Sequence, residues 1–192
     1  MADVSPIAHL SDSTIFDFPH PLGPVYAAAV ILNKSIDIKL LKDSKTIAKD
    51  KRELLSNYIK KNSIWAIGKT SKNEIDKLNI LQASLLAMKR AIKKLKKKPS
   101  HVLIDGNKIP DLNNYKLKAV IKGDQKIPSI SAASIIAKVS RDKFIISLAK
   151  KNVGYHWDQN FGYGTKQHLN AIKKFGISKH HRKTFSPVSK MI

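Results

Sequence analysis

Two aspartates stand just behind short apolar runs: His101-Val-Leu-Ile-Asp105-Gly106 and Lys118-Ala-Val-Ile-Lys-Gly-Asp124. If these runs are neighbouring strands of one sheet, both carboxylates emerge at the same edge. Carboxylates held together repel, and a hard divalent cation with oxygen ligands relieves that repulsion. Two such cations about 4 Å apart would stabilise the attacking and leaving oxygens of a phosphoryl transfer. A plainer reading stands beside this one, because strand-Asp-Gly is also a common turn signal. Asp142, next to Arg141, falls on a helical face with Ile135, Val139 and Ile146. It either approaches a metal or pairs with a lysine. Lys45, in Asp43-Ser44-Lys45, can donate to a phosphate. Tyr163, between Gly162 and Gly164, can stack on a sugar or base or tuck into the core.

Other chemistries are unsupported. His156, His168, His180 and His181 have no zinc-ligand spacing, and no His-Glu-x-x-His occurs, so packing or surface roles are expected for them. There is no Gly-x-Ser-x-Gly and no Gly-rich loop ending in Gly-Lys-Ser/Thr. The chain lacks cysteine, which excludes disulfides, thiolate metal sites and a cysteine nucleophile and fits a reducing cytosol.

The charge balance names the partner class. Thirty-six Lys and Arg oppose fourteen Asp and Glu, a net +22. Such a surface suits nucleic acid or an anionic membrane. The longest strongly apolar run, Tyr26 to Leu32, is far too short to span a bilayer, and Met1–Pro21 has no signal-peptide pattern. Nucleic acid is therefore the expected partner. A basic protein with a local acidic cluster is the layout a nuclease needs: positive surface for phosphates, negative pocket for metal.

The positioning elements can be read from periodicity. Val25 to Leu32 reads as a buried strand, residues 49–61 as a helix, and Ser63 to Gly68 as a second strand. Ser71 and Glu74 have capping-box spacing, and Leu78, Leu81, Leu85, Met88, Ile92 and Leu95 extend one apolar face to Pro99. Seven cations between Lys89 and Lys98 suit either that helix's C-terminus or phosphates. Ser131 to Lys150 reads as a long helix, Lys166 to Phe175 as a shorter one ended by Gly176. Residues 1–22 lack periodicity and contain no Lys or Arg. Alternating strands and helices predict a layered α/β domain with a small helical C-terminal part.

From Gly23 onward the sequence resembles ribonuclease HII, the bacterial type-2 ribonuclease H. The likeness lies in Gly23-Pro24-Val25, Asp43-Ser44-Lys45, Ile75 to Leu81 with Ala87-Met88, Leu103-Ile104-Asp105-Gly106-Asn107 and Lys122-Gly123-Asp124. It continues through Ser131 to Asp142, Gly162-Tyr163-Gly164-Thr165, His168, and His181-Arg182 with Phe185. The resemblance implies a ribonuclease H-like mixed sheet flanked by helices. It divides the chain into a divergent segment 1–22, a catalytic-type domain 23–150 and a small helical region 151–192. It implies hydrolysis on the 5′ side of ribonucleotides, in RNA/DNA hybrids or in DNA duplexes containing ribonucleotides, by two Mg²⁺ or Mn²⁺ ions, in a cytoplasmic monomer. By the same resemblance Asp105 and Asp124 are catalytic metal carboxylates; the helical pattern alone adds Asp142 as a metal-proximal candidate. Lys45, Tyr163, Ser134, Lys138 and Arg182 are substrate contacts, Tyr163 packing on the ribonucleotide sugar.

The N-terminus departs from that pattern. The family carries adjacent Asp-Glu, then Gly-Arg-Gly, before Gly-Pro-Val. Counting back from Gly23 puts Thr14 and Ile15 where the carboxylates belong, and Asp17, Phe18 and Pro19 where Gly-Arg-Gly belongs; the first glutamate is Glu53. A replaced N-terminus and impaired catalysis are expected. The alternative is a non-catalytic binder of RNA/DNA duplexes or double-stranded RNA.

Overall fold

A computed structural model describes residues 7–10 (backbone only), 21–41 and 48–191. The strands are β1 (Ile7–Leu10), β2 (Val25–Leu32), β3 (Ser63–Thr70), β4 (His101–Asp105) and β5 (Lys116–Val120). The helices are α1 (Lys49–Lys61), α2 (Lys72–Leu78), α3 (Ile80–Lys93), α4 (Gly123–Lys126), α5 (Pro128–Ala149), α6 (Trp157–Asn160) and α7 (Lys166–Phe175). The five strands form one mixed sheet in the order β3-β2-β1-β4-β5. β1 runs antiparallel to β2 and parallel to β4, and β4 runs parallel to β5.

β2 shows how the layers form. Successive side chains point to opposite faces. Val25, Ala27 and Ala29 join Ala83, Ala87, Met88, Ala91 and Ile92 of α3 in one core, together with Val102 and Ile104 of β4. Ala28 and Val30 join Ile59 of α1 and Ala132, Ala133, Ile135, Ile136 and Ala137 of α5 in the other. Both faces are covered, so β2 is apolar throughout. Small residues let the helices approach closely. At Gly68 a Cβ would land on the Ala87 carbonyl oxygen and the Ala91 amide nitrogen of α3.

A third cluster ties the C-terminal region to this body: Leu22, Ile145, Leu148, Tyr155, Trp157, Ala171, Ile172 and Val188. Backbone bonds add to it. Gly23 N–H donates to the His180 carbonyl and Arg182 N–H to the Pro21 carbonyl, at 3.0 and 2.7 Å.

Three expectations are corrected. The aperiodic stretch 1–22 contains β1, whose place at the middle of the sheet comes from pairing on both sides rather than from any local pattern. The single helix expected from Ser71 to Leu95 is two. Asn79 adopts φ 68° and its side chain accepts from Gln82 N–H at 3.1 Å, ending α2 and capping α3. The capping box at Ser71 and Glu74 is present as expected. The apolar run before Asp124 ends as a strand at Val120, so Asp124 sits on α4 rather than beside Asp105 on a neighbouring strand.

Candidate active site

Parallel strands deliver their C-termini to one edge. β4 ends there in Asp105, opposite Val120 of β5. The chain then turns sharply: Lys122 takes φ 54° and α4 begins at Gly123. The Gly123 N–H donates to Asp105 Oδ1 at 2.7 Å, and Asp124, 4% exposed, follows directly. A Cβ at Gly123 would push against Ile130 Cδ1 and lie 3.2 Å from Asp105 Oδ1. The two carboxylates thus share an edge through Gly123, although only one of them ends a strand.

Two hard oxygen donors suit Mg²⁺ or Mn²⁺ and are poor ligands for a soft metal. Among the described residues no group of three or more His, Cys, Asp or Glu side chains is placed to hold an ion. Asp105 and Asp124 are the acidic side chains whose chemistry suits such a cation.

A second group of expected residues lies along α5 and the loop that faces it. Ser134, Lys138 and Asp142 follow one another at four-residue intervals, one stripe of the helix. Lys138 Nζ donates to the Tyr163 hydroxyl at 3.0 Å and lies 5.2 Å from the ring centroid; the Arg141 guanidinium lies 5.6 Å from it. Asp142, 8% exposed, pairs with Lys138 at 3.4 Å and Arg141 at 3.3 Å. Of its two readings, the structure shows the ion pair. Its carboxylate pairs with both of the cations that approach Tyr163.

The Tyr163 backbone is held as firmly. After α6, Phe161 and Gly162 take φ 49° and 74°. A Cβ at Gly162 would come within 2.6 Å of the Leu22 side chain. Asn160 Oδ1 accepts from Gly162 N–H, and the Asn160 carbonyl from Tyr163 N–H, each at 2.8 Å. Thr165 then caps α7 by accepting from His168 N–H.

Beneath the loop lies a buried chain of rings. His168 Nδ1 is 2.8 Å from the Tyr163 carbonyl, so Nδ1 carries the proton and donates. That leaves His168 Nε2 to accept from Trp157 Nε1–H at 2.9 Å. His181 Nδ1 accepts from Ser178 N–H at 2.9 Å, so its Nε2–H points to His168 Nε2, 3.1 Å away. Both histidines are fully buried. Every link works with both rings neutral. Burial, helped by each ring's neighbour, pushes His181 down to about 4, and burial also lowers His168. The expectation of packing histidines holds. The link from His168 to Tyr163 was not foreseen; its only trace in the sequence is Thr165-x-x-His168, a cap that turns the ring back under the loop.

Arg182, expected at the substrate surface, is 1% exposed. Its Nε donates to the Gly23 carbonyl at 2.9 Å and its guanidinium lies 5.0 Å from the Phe185 ring centroid. It holds the tail against the start of β2. Lys45, Thr14, Ile15, Asp17, Phe18 and Pro19 lie outside the described residues.

Comparison with known proteins agrees with this arrangement. The family model described as ribonuclease HII matches residues 20–188. Ribonuclease HII of Pelagibacter ubique (strain HTCC1062) is 76% identical over 171 residues, covering 89% of this chain and 92% of that protein. In fold, the chain is similar to the ribonuclease H2 of Pyrococcus horikoshii OT3, with TM-score 0.76 at 22% identity, covering 97% of this chain and 96% of that one. It is likewise similar to Bst-RNase HIII solved in complex with Mn²⁺, with TM-score 0.75 at 15% identity, covering 98% and 69%. The match begins just ahead of β2 and runs through both acidic residues, the α5 stripe, the Tyr163 loop and the histidine pair. The chain belongs to the ribonuclease HII family.

Proposed function

We propose that the chain is an endonuclease that hydrolyses the RNA strand of RNA/DNA hybrids, and DNA duplexes containing ribonucleotides, on the 5′ side of a ribonucleotide, with its catalysis impaired. The observation that carries this reading is the placement of Asp105 and Asp124 at one sheet edge, joined through Gly123 N–H, in a chain of net charge +22. Family membership supplies the reaction class. Asp105 and Asp124 would hold Mg²⁺ or Mn²⁺, which when bound would stabilise charge on the reacting phosphate oxygens. Ser134, Lys138, Tyr163, Arg182 and, beyond the described residues, Lys45 serve the substrate. Lys138 sets the direction of the Tyr163 hydroxyl, His168 fixes its backbone and Arg182 holds the tail against Gly23 at the start of β2. Residues 151–192 act as an arm that carries Tyr163 to the body formed by 23–150. A monomer is sufficient for this arrangement. No described helix is long and apolar enough to cross a membrane, and a cytoplasmic setting suits a cysteine-free chain.

The impairment rests on Thr14 and Ile15, which offer no negative oxygen where the family has two. That favours one second reading, a duplex binder without catalysis. Incubation with a duplex containing one ribonucleotide tests the choice. Slow Mg²⁺- or Mn²⁺-dependent cleavage at the junction supports the nuclease, and binding with no cleavage at any metal concentration supports the binder.

A further inference from the structure

The edge that carries Asp105 also carries the start of β2 and the end of β3, since Val25 pairs with Thr70. A cavity of about 420 Å³ opens there, away from the two aspartates. Its apolar wall is Tyr26 and Phe144, ring centroids 6.0 Å apart. Lys69, Lys72, Lys179 and His180 surround it. The nearby negative charge is already engaged. Glu74 is held by both Arg90 nitrogens, at 2.6 and 3.1 Å, and by Ser71; Asp76 takes Lys72 at 3.5 Å. Lys69 and Lys179 are exposed and have no carboxylate within ion-pair distance among the described residues. The positive field registers on a neighbour: after burial, Lys179 and Lys72 are what lower His180.

We infer that this cavity is a second anchoring point for the nucleic acid, in which Lys69 and Lys179 grip a backbone phosphate and the Tyr26–Phe144 wall takes the adjoining sugar face. The assignment rests on the proposed duplex substrate and adds a contact to it. The sheet sets the spacing. Neighbouring strands are about 4.8 Å apart, and β2 and β3 lie two and three strands from β4. The cavity is therefore about 10–14 Å from the Asp105 edge, about three to four base-pair steps along a duplex. A neutral or purely acidic wall would make this a crevice of no consequence. Two cations with no acidic partner among the described residues, over an apolar floor and within reach of a duplex at the neighbouring strands, match a phosphodiester in charge and shape.

The test is fluorescence-anisotropy titration of a labelled RNA/DNA hybrid, without divalent metal, from low to moderate salt. The full chain is compared with Lys69→Gln/Lys179→Gln and with Lys34→Gln/Lys61→Gln, which removes two exposed charges at the opposite edge, just after β2 and just before β3. Each phosphate released flattens the slope of log K against log salt by about 0.9, so Lys69→Gln/Lys179→Gln, which gives up one phosphate, should flatten it by about 0.9 and the control should leave it unchanged. Both pairs are exposed, and equal melting temperatures confirm intact folding. An unchanged slope in Lys69→Gln/Lys179→Gln, or an equal loss in the control, overturns the anchoring point while leaving the duplex reading in place. A parent chain whose hybrid binding ignores salt overturns both.

Discussion

Acidification from pH 7 to pH 5 should remove about 2 kcal/mol of folding stability through His181 alone. The ring is fully buried and held near 4 against an ordinary 6.5. Both of its nitrogens are engaged as a neutral ring, one accepting from Ser178 N–H and the other donating to His168. The folded chain therefore refuses a proton that the unfolded chain accepts. The contribution is complete above pH 6.5 and is lost as pH falls from there toward 4. At pH 5 the descent has covered about 1.5 units at about 1.4 kcal/mol each. His168 is shifted in the same direction and steepens the fall. Glu74, held near 2 by Arg90 and Ser71, keeps its own contribution until pH drops below 4.5, so it does not enter this window. Urea unfolding at pH 7, 6 and 5 reads the effect as a falling midpoint at constant m-value. The histidines lie directly beneath Tyr163, so junction cleavage should weaken over the same range. Equal stability at pH 7 and pH 5 would refute the neutral-ring network.

Other perturbations separate frame from site. Gly68→Ala should cost about 3 kcal/mol or more, because its methyl meets α3 backbone that cannot yield, and thermal unfolding reads the loss. Lys138→Met should raise KM for a junction substrate several-fold with kcat little changed, since it removes the ammonium that donates to the Tyr163 hydroxyl and leaves Asp105 and Asp124 in place. Asp105→Asn should abolish any residual metal-dependent cleavage while leaving metal-free duplex binding intact, as read by gel cleavage and anisotropy side by side.

Much of the fold is legible where local signals and tertiary needs agree. Val25 to Leu32 is apolar throughout because both of its faces are covered, and that run identifies β2 without help. The break at Asn79 is hidden because the apolar face continues across it; only the asparagine between Leu78 and Ile80 marks it, as a cap rather than a helical residue. β1 is hidden for the opposite reason. Four residues carry no periodicity, and their conformation comes from β2 and β4. At the site, the strand-then-aspartate pattern locates Asp105 correctly, but the shared Gly signal conceals that Asp124 is carried by a helical turn. Arg182 shows the limit most clearly. The family motif marks Arg182 as a residue of interest, but nothing local in the sequence tells that it is buried, with its Nε on the Gly23 carbonyl and its guanidinium over Phe185.

Asp105 and Asp124 are proposed to form half of a nuclease site whose other half is absent from the sequence at Thr14 and Ile15. Initial rates of junction cleavage at equal Mg²⁺ or Mn²⁺ test it directly. The chain as it stands is compared with Thr14→Asp/Ile15→Glu combined with Asp17→Gly/Phe18→Arg/Pro19→Gly, which leaves Ile7–Leu10 of β1 untouched. The substituted chain should cleave 5′ to the ribonucleotide at least about a hundred-fold faster, a barrier lowered by about 2.7 kcal/mol. Equal rates for the two chains would contradict it, because other carboxylates would then already complete the site.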